Sequence, residues 1–179
     1  MVLLLSPVAA WALYKPVRIV APEWNGVSCV NDDICIDDPQ RTDEAQRIYA
    51  SALRFVNEEI GEIDDKPRVV FCATEKCFDA FGFHAPAKAK AIGSFGLVIG
   101  PSGWENYLLR HEFIHHLQSE RLGAVGQWSS PAWFKEGMAY SLSGDPRELK
   151  EPFTGYRKTF DHWYRGVGKQ RIWQEAKKL

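Results

Sequence analysis

The chain has 179 residues, 45% of them hydrophobic, and 22 Lys and Arg against 23 Asp and Glu give it a formal charge of −1. That length and apolar content suffice for a domain with a real core. The near-balanced charge, with no basic cluster beside an aromatic platform, lacks the electrostatic footprint of a nucleic-acid binder and excludes that class.

Residues 1–14, MVLLLSPVAAWALY, form an uncharged apolar run that stops at Lys15. A comfortable membrane span needs about 20 apolar residues, so the run fits the apolar region of a signal peptide better. Ala10-Trp11-Ala12 offers a small-x-small cleavage site, but no positive stretch precedes the run. Residues 1–15 are therefore read as a signal peptide or a membrane anchor, and residues 16–179 as the folded part; a buried first strand is the alternative for the run. The four cysteines fall in two close pairs, Cys29 with Cys35 and Cys72 with Cys77, and neither pair has metal-site spacing. An even count beside an export signal favours disulfides over reduced core thiols, and the local pairing, in which each bridge closes a short loop, is preferred among three connectivities. Both features point outside the cytoplasm, to a periplasmic or secreted protein, with anchoring through residues 1–14 as a variant.

Val17, Arg18, Ile19 and Val20 alternate like a strand, and residues 31–39, NDDICIDDP, read as a solvated acidic loop with a short apolar insert. No glycine bend or long set of oxygen donors marks that loop as a calcium site. Thr42 is placed as the N-cap of an amphipathic helix whose apolar positions Ala45, Ile48, Tyr49, Ala52, Leu53, Val56 and Ile60 recur at threes and fours, ending at Gly61 and backing a sheet. Residues 68–73, RVVFCA, make a buried strand, and Thr74 caps a short helix that Gly82 ends. His84 follows in a solvated loop. Residues 91–100, AIGSFGLVIG, make a second strand whose glycines mark a bulge or a close backbone approach.

Ser102 and Glu105 have capping-box spacing and open the next helix, which Gly123 ends. Within it residues 110–118 read RHEFIHHLQ. His111 and His115, four residues apart, fall on one helix face and can grip one metal ion, the H-E-x-x-H pattern of a zinc half-site. A catalytic zinc takes three protein ligands and keeps a fourth position for water, so a third donor must come from elsewhere. After a crossover over residues 123–129, Ser130 and Pro131 open a second helix, which offers Glu136. Tyr107, His111, His115 and Gln118 trace the ligand face, and His116 lies off it, as a packing or exposed residue.

The H-E-x-x-H helix followed by W-F-x-E-G-x-A, Trp133 to Ala139, resembles the gluzincins, zinc metallopeptidases whose third ligand is a glutamate on the following helix; the likeness covers about residues 69–142. It implies that His111, His115 and Glu136 bind Zn²⁺ and that Glu112 is the general base acting on the water. Helix geometry agrees, since Glu112 lies about 100° round the helix from His111, where it reaches a water more readily than the ion. In such enzymes the strand before the active-site helix runs along the cleft and pairs with the substrate backbone, which would give residues 91–100 that role. Some members carry a carboxylate four residues after the third ligand to orient a zinc histidine; this chain has Tyr140 there, which leaves that function unassigned. Candidates for stabilising the oxyanion, or for supporting the ligands, are Tyr140, Tyr156 and His162.

Tyr156, Phe160, Trp163, Tyr164 and Val167 keep helical spacing, so a C-terminal helix packs across the cleft. Trp104, Trp128, Trp133, Trp163 and Trp173 are read as core and cleft-wall packing. The expected fold is α+β: one small zincin-like domain with a small mixed sheet, a backing helix and an active-site helix pair. The expected function is zinc-dependent hydrolysis of peptide bonds in a peptide or protein substrate. The alternative is a non-catalytic module, zinc-stabilised or membrane-anchored, that grips a partner chain; the intact Glu112 argues for the enzyme, because a purely structural site has no use for it.

Overall fold

A computed structural model of the protein describes residues 15–92 and 95–179. The apolar run of residues 1–14, read as a signal or anchor, lies outside the described residues. The chain is α+β and groups into two compact units: one holds the described residues up to Arg47 with Pro67–Trp104, the other Ile48–Lys66 with Glu105–Leu179.

In the first unit the described residues begin with helix α1 (Lys15–Val20), where the sequence pattern favours a strand. The reason is a distant side chain. Arg68 Nη1 donates to the carbonyl oxygens of Ile19 at 3.4 Å and Val20 at 3.1 Å, the last two of the helix, while Asn25 Nδ2 donates to that of Arg18 at 3.3 Å. Strands β1 (Ser28–Cys29) and β2 (Ile34–Ile36) follow, so the insert in the acidic loop is a strand and not part of a solvated turn. All three β2 residues are buried because β2 runs parallel to the next strand, and parallel strands are covered on both faces.

Helix α2 (Thr42–Glu59) begins at Thr42, which is not its N-cap: a 3₁₀ turn, Pro39–Arg41, leads in, with the Asp38 carboxylate accepting from Gln40 N–H. Strand β3 (Val69–Phe71) and helix α3 (Glu75–Ala80) lie where the sequence puts them, and the Thr74 hydroxyl accepts from Cys77 N–H as the cap. Asp37, from the acidic loop, fastens this turn by accepting from Ala73 N–H at 2.6 Å and from the Thr74 hydroxyl at 2.7 Å. Strands β4 (Ala89–Ala91) and β5 (Leu97–Ile99) complete a five-stranded mixed sheet of order β1-β2-β3-β5-β4, with β2, β3 and β5 parallel and the outer two antiparallel. The single strand expected over residues 91–100 is thus split. β5 has a neighbour on each side, which leaves it no open edge for a substrate backbone.

Cys29 is bonded to Cys35 and Cys72 to Cys77, the local pairing. Two disulfides indicate an oxidising, extracytoplasmic setting. Among the described residues no helix is long and apolar enough to cross a membrane. The unit's core gathers Ile19, Val70, Phe78, Phe81 and Val98 around these cysteines.

The second unit is helical. Helix α4 (Asn106–Ser129) starts after Glu105, whose side chain makes no cap bond. The expected capping box does not form, because residues 101–103 turn as a 3₁₀ segment closed by Gly103 N–H on the Gly100 carbonyl. At Gly123 the backbone swings to φ 72° and ψ 167°, which breaks the helix where the sequence ends it. Residues 124–129 are nevertheless helical and not an irregular crossover. Helix α5 (Ala132–Leu142) follows with Pro131 at its N-cap; Ser130 turns its hydroxyl back to the Gly126 carbonyl instead of capping. Then come α6 (Phe153–Val167) and the short α7 (Ile172–Ala176).

Tyr49 meets Phe113 edge-on at 5.4 Å, and Phe134, Phe160 and Trp163 cluster between α5 and α6. Trp104 is buried and Trp133 packs on Trp163, as expected of packing tryptophans, but Trp128 is 83% exposed. His116 is buried, with Nε2 at 2.7 Å from the Asp65 carbonyl, and His84 is exposed beside Asp79.

Gly137 sets the separation of α5 and α6. A Cβ there would run into the Tyr156 carbonyl oxygen and come within 2.8 Å of Phe160 Cβ. Gly137→Ala therefore costs about 1–3 kcal/mol through overpacking. The check is thermal unfolding by circular dichroism, where the variant melts several degrees below the wild type.

Candidate metal centre

The site begins with helical spacing. His111 and His115 lie one turn apart on α4, and their rings meet edge-on with centroids 4.8 Å apart and Nε2 atoms 3.2 Å apart. Glu136 on α5 faces both: Oε2 is 3.7 Å from His111 Nε2 and Oε1 is 3.7 Å from His115 Nε2. Donors at 2.0–2.1 Å from a tetrahedral zinc are roughly 3.3 Å apart, a spacing the two Nε2 atoms already have, while the Glu136 carboxylate has to move closer to share the ion with both rings. The three residues form a group whose donor atoms lie within 4.8 Å of one another and could hold a metal ion. Two imidazoles and one carboxylate suit a divalent transition ion; which one the donor types alone do not fix.

His115 is held from behind. Gln118 Nε2 donates to the Lys135 carbonyl at 3.0 Å, and a carbonyl only accepts, so the amide orientation is settled. Gln118 Oε1 then faces His115 Nδ1 at 3.0 Å, which requires the ring proton on Nδ1 and leaves the Nε2 lone pair facing the other donors. The same amide ties α4 to the residue before Glu136. Gln127 adds a bond from Nε2 to the His115 carbonyl at 2.7 Å, across the break at Gly123. The sequence places Gln118 on the ligand face without giving it a role; its signal is the i, i+3 spacing from His115.

Glu112 is buried beside His111 on α4. Tyr140, one turn after Glu136, meets the His111 ring edge-on with centroids 4.5 Å apart. Burial, and after it the charge of Glu136, raises the Tyr140 phenol above its ordinary range, so its hydroxyl keeps its proton. The other two candidates stand further off. Tyr156 packs on Phe153, which in turn packs on Tyr140, and His162 is exposed on α6. Compared with protein families, with curated proteins and with solved structures, the chain matches none.

The lock on His115 is testable apart from any activity. Gln118→Leu keeps the volume but frees the tautomer, and zinc affinity measured by chelator competition falls about 10- to 100-fold at unchanged helix content. An unaltered affinity removes Gln118 from the orienting role.

Proposed function

We propose that the chain is a zinc-dependent peptidase of gluzincin type. The observation that carries this reading is the convergence of His111, His115 and Glu136 on one point, with Glu112 buried next to the first ligand. Among the described residues the group offers three donors, which suits a catalytic ion with an open position better than a closed structural one. Zinc bound there supplies Lewis acidity toward a peptide carbonyl and acidifies a water.

The chain's own residues do the rest. Glu112 takes a proton from the attacking water and delivers it to the departing amine, work suited to a carboxylate at the ligand face. The Tyr140 hydroxyl, kept protonated, is the donor for the charge that develops on the carbonyl oxygen. Of the three candidates for that work, Tyr140 alone touches a ligand ring. Gln118 keeps His115 in the tautomer that leaves Nε2 able to bind. An exported peptidase, secreted or periplasmic, accords with the two disulfides.

Glu112→Gln decides between the enzyme and a zinc-stabilised binder. With a mixed peptide library as substrate and products read by mass spectrometry, the variant retains zinc and loses 10²- to 10⁴-fold in cleavage rate, the usual contribution of a general base. A wild type that binds zinc and cleaves nothing favours the binder.

A further inference from the structure

One turn before His111 on the same face of α4 lies Tyr107, and over its ring, 5.1 Å from the centroid, sits the Arg147 guanidinium. That guanidinium is fixed. Arg147 Nε donates to Asp145 Oδ1 at 2.9 Å and Oδ2 at 3.1 Å, and Nη2 donates to Oδ2 at 2.5 Å. The Asp145 side chain is fully buried, while that of Arg147 is 35% exposed. Asp145 takes the Nε–Nη2 side of the guanidinium, and among the described residues Nη1 meets no acceptor, which leaves the parallel N–H bonds of the Nη1–Nη2 edge for another one.

We infer that Arg147 is a specificity residue that binds a carboxylate of the peptide substrate through its Nη1–Nη2 edge, above the ring of Tyr107, which lies one helical turn before His111. The inference rests on the peptidase reading. Arginine's planar fork suits the work, because two parallel N–H bonds fit a carboxylate and an already clamped fork loses little freedom on binding. The carboxylate comes from a chain terminus or from an Asp or Glu side chain.

The test measures retention and cleavage separately. Zinc-loaded Glu112→Gln protein is immobilised and offered three pools of acetylated peptides: neutral peptides with free C-termini, the same peptides as C-terminal amides, and amides containing Asp or Glu. Retained peptides are read by mass spectrometry. A charge-assisted pair of bonds predicts about 10- to 100-fold stronger retention of a carboxylate-bearing pool than of the neutral amides. Preference for the free acids alone assigns the chain terminus, and preference for acidic amides assigns the side chain.

Arg147→Met, combined with Asp145→Asn so that no buried carboxylate is left unpaired, abolishes the preference at unchanged zinc content and helix signal. Arg147→Lys keeps the charge for Asp145 and lowers the preference without removing it. No preference in the parent protein, no retention of any pool, or a preference that survives the double variant overturns the role of Arg147. Retained peptides are then given to the wild type. Retention without cleavage sinks the peptidase reading and leaves the carboxylate site, whereas cleavage without carboxylate preference does the reverse.

Discussion

Two imidazoles one turn apart on a helix can share an ion only if a third donor is brought to the same point and kept there. That requirement organises the helical unit. Glu136 has to reach the His111 and His115 rings from another helix, and the bond from Gln118 to the Lys135 carbonyl pins the start of that helix against α4. On the far side Gly137 lets α6 approach until a methyl group would collide with the Tyr156 backbone. The aromatic residues Phe134, Phe160 and Trp163 then fill the space between α5 and α6. The glycine after the glutamate is thus a packing requirement of the segment that carries the third donor.

Polar groups around the donors divide the work by chemistry. Gln118 is neutral and bifunctional, so it can fix a tautomer and hold a backbone carbonyl at once. Tyr140 covers His111 and carries a hydroxyl that burial keeps protonated, which suits a donor and not a base. The buried carboxylate of Asp145 is satisfied by Arg147, and the pair holds a guanidinium in place at the margin of the site.

Much of this was legible in the chain, and what was not has physical reasons. The ligand spacing, the helix break at Gly123, the Thr74 cap and the local disulfides depend on near neighbours, and the sequence carries them. Strand β2 was hidden because three residues buried on both faces show no alternation, and its acidic flanks look like a loop. Helix α1 reads as a strand because the group that satisfies its last two carbonyls, Arg68, is far along the chain. The capping box failed for a related reason: Pro101 starts a 3₁₀ turn that draws Ser102 out of register. Residues 91–100 read as one strand, yet their apolar run serves two, and only the pairing order reveals that β5 lies inside the sheet. Gln118 was on the right face, but its role depends on a carbonyl from the next helix, which no local pattern contains.

The central claim is that His111, His115 and Glu136 hold one ion together. It is tested most directly by elemental analysis of the purified protein and of its Glu136→Ala variant after dialysis against metal-free buffer. The account predicts close to one zinc per chain in the wild type and little in the variant, with the same helical content in both. Zinc retained in full by the variant, or no tight zinc binding by either protein after zinc is added back, would contradict it.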